Sequence, residues 1–198
     1  MPSAGVDFRA ALRILAVLTL LATLLTAFGR TYVEALLPVY RVMLGVVQPD
    51  YRVRSLLIEG NGGSRIRVEM ERQMLVKDAA GELRPAVVLG RASTQTGYVL
   101  LHPFILFGIV LVWPRLGCRS RLRRLAVSIP LLLLLEALDI PLALAGGIEE
   151  TLSGAGQSGH GPDWARLLDG GGRYAISVAA AGVASALETA WTRAATPA

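Results

Sequence analysis

Four long apolar stretches interrupt the polar positions of the chain. A membrane-spanning helix needs roughly 17–25 mostly apolar residues, and residues 10–28, 98–113, 125–145 and 174–191 have that character. The first three are rich in large aliphatic residues, whereas alanine dominates the fourth. Small residues suit close helix packing in lipid. The pattern therefore predicts four transmembrane helices.

The first and fourth stretches each have an alternative interpretation. The first follows Arg9 and Arg13, as the apolar core of a signal peptide follows basic residues. Its apolar run is longer than the usual core of about 7–15 residues, and no A-x-A site follows, which favours a retained anchor. The fourth could be a soluble amphipathic helix, but Tyr174 and Trp191 bracket it as an aromatic belt would.

An amphipathic segment follows the first stretch. Apolar residues recur at helical spacing over 31–47: Val33, Leu36, Leu37, Tyr40, Leu44 and Val47. The spacing predicts a helix whose apolar face lies either in the outer leaflet or against the segment that follows.

Residues 51–59, 64–77 and 83–91 have the character of strands, and the middle segment at first alternates strictly between apolar and polar positions, which predicts a three-stranded antiparallel meander. Turn signals at 60–63 and 78–81 separate the strands. In the middle strand, Ile66, Val68 and Met70 share one face. So few strands bury too little surface to stand alone. The membrane, the 31–47 helix or a partner must therefore cover this face.

Basic residues set the expected orientation. The short loop 114–124 has no acid, and short cytoplasmic loops are enriched in Lys and Arg. Its arginines are Arg115, Arg119, Arg121, Arg123 and Arg124. We expect this loop and both termini inside, with 30–97 and 147–173 outside. Contact with anionic lipid explains the arginines more simply than nucleic acid does, because no aromatics are interleaved with them.

These elements predict a membrane α-helical fold with four transmembrane helices and an extracytoplasmic α+β insert. The composition agrees, with 53% hydrophobic and 18% charged residues and a net charge of +5. The predicted parts, in order, are an N-terminal anchor (1–29), the insert (30–97), a helical hairpin (98–146), a Gly-rich extracytoplasmic loop (147–173), and a last transmembrane helix with a short tail (174–198).

Two acids lie within the third apolar stretch. Glu136 and Asp139 share a helix face, and an ionised carboxylate in hydrocarbon costs about 2.5–3.5 kcal/mol even on the lenient insertion scale. They could form a polar contact, a proton relay or a substrate contact. Alternatively, the span ends near Leu135 and both acids lie at the outer interface.

Other polar residues in the apolar stretches are expected to be structural. His102, at the outer start of the second span, is a candidate functional polar residue together with Glu136 and Asp139, although a lone His there is more often a hydrogen-bonded structural residue. We expect Glu188 to reach toward Arg193 at the inner end of the fourth span. His160 has no second ligand at metal spacing. The sequence contains no nucleophile elbow, P-loop, dinucleotide fingerprint or zinc-protease helix. We therefore expect no catalytic residue, cofactor or metal.

The order of parts resembles the exosortase H-associated proteins, a group of small bacterial inner-membrane proteins. The matching motifs are EALLPVYRVML, YRVRSLLIEGNGGSRIRVEM and TQTGYVLLHPFILF, followed by a basic inside loop and a further span. The resemblance implies an accessory role near envelope protein sorting, with an exosortase as partner. Exosortases themselves use a membrane-embedded Cys with Arg and His. Here the single Cys, Cys118, falls in the predicted cytoplasmic loop, which argues against a transpeptidase.

Two functions follow from this pattern. The first is a non-catalytic inner-membrane accessory protein whose partners are the lipid bilayer and a membrane or envelope protein. The second is a membrane enzyme, or a small-solute or proton carrier, that uses Glu136 and Asp139.

Overall fold

The computed structural model describes residues 8–60, 64–77, 81–113, 117–153 and 165–194. Within these residues, eight elements follow in chain order: α1 (Phe8–Val47), β1 (Arg52–Glu59), β2 (Arg65–Lys77), β3 (Leu83–Gln95), α2 (Thr96–Val112), α3 (Cys118–Ser153), a short π-helical turn (Leu168–Gly172) and α4 (Arg173–Ala194). Several predicted features lie outside the described residues: most of both strand turns, Arg115, His160 and the centre of the Gly-rich loop.

Helix α1 joins the predicted anchor and the predicted amphipathic segment into one helix of 40 residues. It continues through Pro38 and ends where Gln48 donates its backbone N–H to the carbonyl of Leu44, just before Pro49. Proline has no backbone N–H to continue the ladder of hydrogen bonds. Only 6% of the most apolar window of α1 is buried inside the chain. Most of these apolar side chains are therefore exposed on the surface of the chain.

Two helices are long and apolar enough to cross a membrane, Ala10–Val47 and Cys118–Leu152. Helix α2 is apolar but has 17 residues, and α4 has 22 residues with alanine in place of most leucines. The arrangement with four transmembrane helices stays a prediction.

The predicted three-stranded antiparallel meander is confirmed, in the order β1-β2-β3. Strand β3 extends to Gln95, beyond the predicted end of the meander, and Thr96 begins α2. Strand β1 pairs with β2 only as far as Arg52 opposite Glu71, whereas β2 and β3 pair along their full lengths. The distal part of the β2–β3 hairpin therefore projects past β1.

The chain forms two compact units. The first contains residues up to Arg30, Leu100–Leu135 and the chain from Tyr174; the second contains Thr31–Val99 and Glu136–Arg173. The core of the first unit joins α2, α3 and α4 through four buried residues. They are Leu106, Leu132, Ala180 and Ala181.

In the second unit, the end of α3 covers the apolar face of the sheet. The middle-strand side chains at 66, 68 and 70 are fully buried. A Cβ atom added to Gly90 of β3 would lie 2.6 Å from the Cγ2 atom of Ile148, and one added to Gly147 would lie 3.1 Å from the Cβ of Ala92. Thr151 donates a hydrogen bond to the carbonyl of Arg91. The end of α3, which the three sequence-based alternatives did not include, therefore contributes to the cover of this face.

The apolar stripe of the 31–47 segment is also buried inside the second unit. Val33, Leu36, Tyr40 and Leu44 are each at most 5% exposed, so lipid does not cover this face of α1. At the end of the helix, the amide of Gln48 donates a hydrogen bond of 2.6 Å to Glu149 of α3. This part of α1 packs along α3.

Candidate functional site

Glu136 lies fully buried in α3 and contacts two tyrosines of α1. The hydroxyl of Tyr40 donates a hydrogen bond of 2.9 Å to one carboxylate oxygen, and the hydroxyl of Tyr32 lies 3.5 Å from the other. The two tyrosines are eight residues apart, which places them on one helix face. Tyr40 was predicted as part of the apolar stripe, but its hydroxyl supplies the polar partner that Glu136 needs.

Asp139, one turn further along α3, pairs with Arg173 at the start of α4. The Nε atom of Arg173 lies 2.8 and 3.0 Å from the two carboxylate oxygens, and both side chains are at most 5% exposed. The same guanidinium donates a hydrogen bond to Asp169 and lies 4.1 Å above the ring of Tyr98. Arg173 thus joins α3, the turn before α4 and the start of α2.

The turn that presents Arg173 depends on a glycine. Gly171 has a φ of +107°, a left-handed conformation that residues with a side chain rarely adopt. Two residues later α4 begins, and its first side chain is the buried guanidinium. The sequence signal for this pair was an Arg at the end of the Gly-rich loop that follows the stretch containing the two acids.

We call Tyr32, Tyr40, Glu136, Asp139 and Arg173 the carboxylate cluster. All five belong to the second unit. A buried charge is stabilised only when partners satisfy it, and here hydroxyl and guanidinium donors from other helices do so. Chemically, the arrangement can tie α1, α3 and α4 together.

His102 is fully buried in the first unit and lies at hydrogen-bonding distance from Ser177. Its Nδ1 atom is 2.7 Å from the Ser177 hydroxyl, which is also fully buried. The pair joins α2 to α4. A nitrogen and a hydroxyl at this distance form a normal hydrogen bond, so each of these polar groups has a partner in the apolar interior.

Glu188 does not extend to Arg193 as expected. Its carboxylate lies 3.2 Å from the Nε atom of Arg124, and both side chains are nearly buried. The guanidinium also donates to Ser185 and lies 5.4 Å from the ring of Trp113. In the first unit α3 packs against α4, so Arg124 of α3 lies beside the buried carboxylate of Glu188.

Helix α3 begins at Cys118, so the predicted loop 114–124 is helical over most of its length, and its arginines lie in different surroundings. Arg119 and Arg123 are exposed, Arg121 is half-buried and Arg124 is buried. Cys118 is an exposed free thiol. Among the described residues, no group of three or more His, Cys, Asp or Glu side chains is placed to hold a metal ion.

Comparison with known proteins adds no further constraint. No family model, curated protein or solved structure matches the chain.

Proposed function

We propose that this chain is a non-catalytic accessory subunit of the bacterial inner membrane that supports exosortase-type sorting of envelope proteins. One observation carries the proposal. The two acids in the third apolar stretch, the strongest candidates for chemistry, are each satisfied by side chains of the same protein. Groups used in this way stabilise the arrangement of helices and are not free for a substrate.

The sheet supplies the surface that an accessory protein needs. Strand β3 is an edge strand of 13 residues. An unpaired edge offers backbone donors and acceptors to a partner strand. Leu83, Val87 and Leu89 are exposed apolar side chains along β3. An extended segment of the exosortase would pair with this edge and cover them.

The proposed topology keeps the loop 114–124 and both termini in the cytoplasm, and residues 30–97 and 147–173 outside. The basic loop supports it through the charge asymmetry of short loops. The exposed apolar window of α1 supports the membrane location. In this topology the β3 edge faces the compartment in which envelope proteins are sorted.

A membrane enzyme or carrier that uses Glu136 and Asp139 is the second candidate. It is favoured by the surroundings of Glu136, whose hydrogen-bond partners among the described residues are two phenols and no cation. A cationic substrate could supply the missing charge. Such a function requires turnover or transport by the purified protein alone.

Substituting Val87 with lysine should weaken the association with an exosortase. Val87 is 60% exposed, so the fold should tolerate the change, whereas a lysine on an edge strand opposes strand addition. The tagged chain, co-expressed with an exosortase from a genome that encodes both proteins, would be purified in mild detergent. We expect the recovered exosortase to fall about tenfold, equivalent to about 1.4 kcal/mol of binding free energy.

The matched control is Leu57→Lys, which places the same charge on β1 at the other edge of the sheet and should preserve recovery. Equal losses for both variants would contradict docking at β3. Failure of the wild-type chain to retain the exosortase would contradict the proposed partner.

A further inference from the structure

The face of the sheet opposite the buried middle-strand residues carries a group of charges at its α2-proximal end. Paired residues of an antiparallel ladder lie on the same face. Arg65 is opposite Glu59, Arg67 is opposite Ser93, and Glu69 is opposite Arg91. Strands β2 and β3 therefore bring three arginines together on one surface, next to Glu59 of β1.

These arginines line one open depression of about 280 Å³. Glu59 and Ser93 also contribute to its wall. We call this depression, with Arg65, Arg67 and Arg91, the arginine pocket. Guanidinium groups match the oxygens of phosphates and carboxylates with parallel N–H donors, and the Ser93 hydroxyl can add another donor.

Two carboxylates orient the arginines but do not neutralise them all. Arg67 lies 3.0 Å from Glu59 and 3.6 Å from Glu69, and Arg91 lies 2.9 Å from Glu69. The hydrogen bond with Glu59 raises the pKa of the Arg67 guanidinium above its ordinary value, so Arg67 stays charged. Among the described residues, Arg65 forms no ion pair, and the pocket therefore has one more positive than negative charge.

The arginine pocket lies where the sheet leads into an apolar helix. Arg65 pairs with Gln95, the last residue of β3, and the next residue, Thr96, begins α2 and donates its N–H to the carbonyl of Ser64. If α2 enters the bilayer, the pocket lies near its surface, where lipid phosphates are concentrated.

We propose that the arginine pocket binds a phosphate group through Arg65, Arg67 and Arg91. A phosphate monoanion supplies the missing negative charge and has several oxygens for the converging donors. It comes either from the headgroup of an anionic lipid or from a free phosphate. Arg91 and Ser93 belong to β3, but the site uses their side chains on the face of the sheet and not the backbone groups of the β3 edge, so it does not depend on the exosortase link.

The first arm of the test uses the full chain in detergent and native mass spectrometry to measure binding of phosphatidylglycerol against phosphatidylcholine. The wild-type chain should prefer phosphatidylglycerol. Arg65→Gln should weaken that binding about tenfold, the loss expected for one charge-assisted hydrogen bond. Arg54→Gln removes the same charge from an exposed position on β1 and should leave it unchanged.

The second arm distinguishes the sources. If millimolar inorganic phosphate raises the melting temperature of wild type but not of Arg65→Gln, a free phosphate occupies the pocket. If phosphatidylglycerol raises the melting temperature of wild type but not of Arg65→Gln, and inorganic phosphate has no effect, the ligand is a lipid headgroup. Equal weakening by Arg65→Gln and Arg54→Gln would overturn the site, as would a wild-type chain that responds to neither probe. Should Arg65→Gln fail to fold, Arg91→Gln replaces it, since Arg91 also lines the pocket and is 59% exposed. Unchanged phosphatidylglycerol binding by that variant would also overturn the site.

Discussion

Replacing Arg173 with methionine should lower the free energy of unfolding by about 3–5 kcal/mol, the cost of removing one partner from a buried ion pair. The change leaves the Asp139 carboxylate buried without its guanidinium and also removes the cation above the Tyr98 ring. For a chain of this size, about 2–4 °C in melting temperature corresponds to 1 kcal/mol. Thermal unfolding of the purified protein in detergent should therefore show a fall of roughly 6–20 °C.

The control is Arg193→Met, which removes the same type of charge from an exposed position in the last turn of α4. Exposed substitutions usually change stability by less than about 0.5 kcal/mol. If the two variants unfold at the same temperature, Arg173 does not tie the helices together.

Replacing Val68 with aspartate should destabilise the sheet by about 3 kcal/mol or more, because it places a charge where no partner is available. Val68 is fully buried between Leu56 of β1 and Ala92 of β3. The loss of strand structure can be measured by circular dichroism during urea unfolding. We expect a lower midpoint and a smaller β contribution before the main transition.

Leu75→Asp provides the comparison on the same strand, since Leu75 is 66% exposed. That variant should unfold like the wild-type chain. A Val68→Asp chain as stable as Leu75→Asp would mean that α3 does not cover the inner face of the sheet.

The sheet was predictable because the alternation of apolar and polar residues that identifies a strand lies within a short stretch of sequence. Strict alternation in β2 placed Ile66, Val68 and Met70 on one face, and the structure buries all three. The cover for that face was not predictable. It is Ile148 and its neighbours at the end of α3, far away in the chain, and apolar periodicity does not encode which helix packs on a sheet.

The sequence identified the two acids of the carboxylate cluster but not their partners. Two acids in an apolar stretch identified Glu136 and Asp139 as unusual, since buried carboxylates are costly. Their partners, Tyr40 and Arg173, come from other helices, and the pairing depends on packing. Arg173 lies in the predicted Gly-rich loop 147–173 and Tyr40 was placed in the apolar stripe, although each has a polar group that packing can place beside an acid.

The same reasoning explains Glu188. In the sequence of α4 alone, Arg193 lies near Glu188 and was therefore the expected partner. The structure instead uses Arg124 of α3, because Glu188 is buried against that helix. Long-range ion pairs of this kind require the tertiary arrangement.

The most direct measurement compares stability with function in one variant, Asp139→Leu combined with Arg173→Met. Replacing a buried ion pair by apolar residues of similar volume is often neutral or stabilising. The double variant should therefore recover most of the melting temperature lost by Arg173→Met. In cells that lack the native copy, it should support processing of an exosortase substrate at the wild-type level. A double variant that unfolds like the wild-type chain but fails to support processing would show that the pair takes part in chemistry, and would contradict a structural role for the carboxylate cluster.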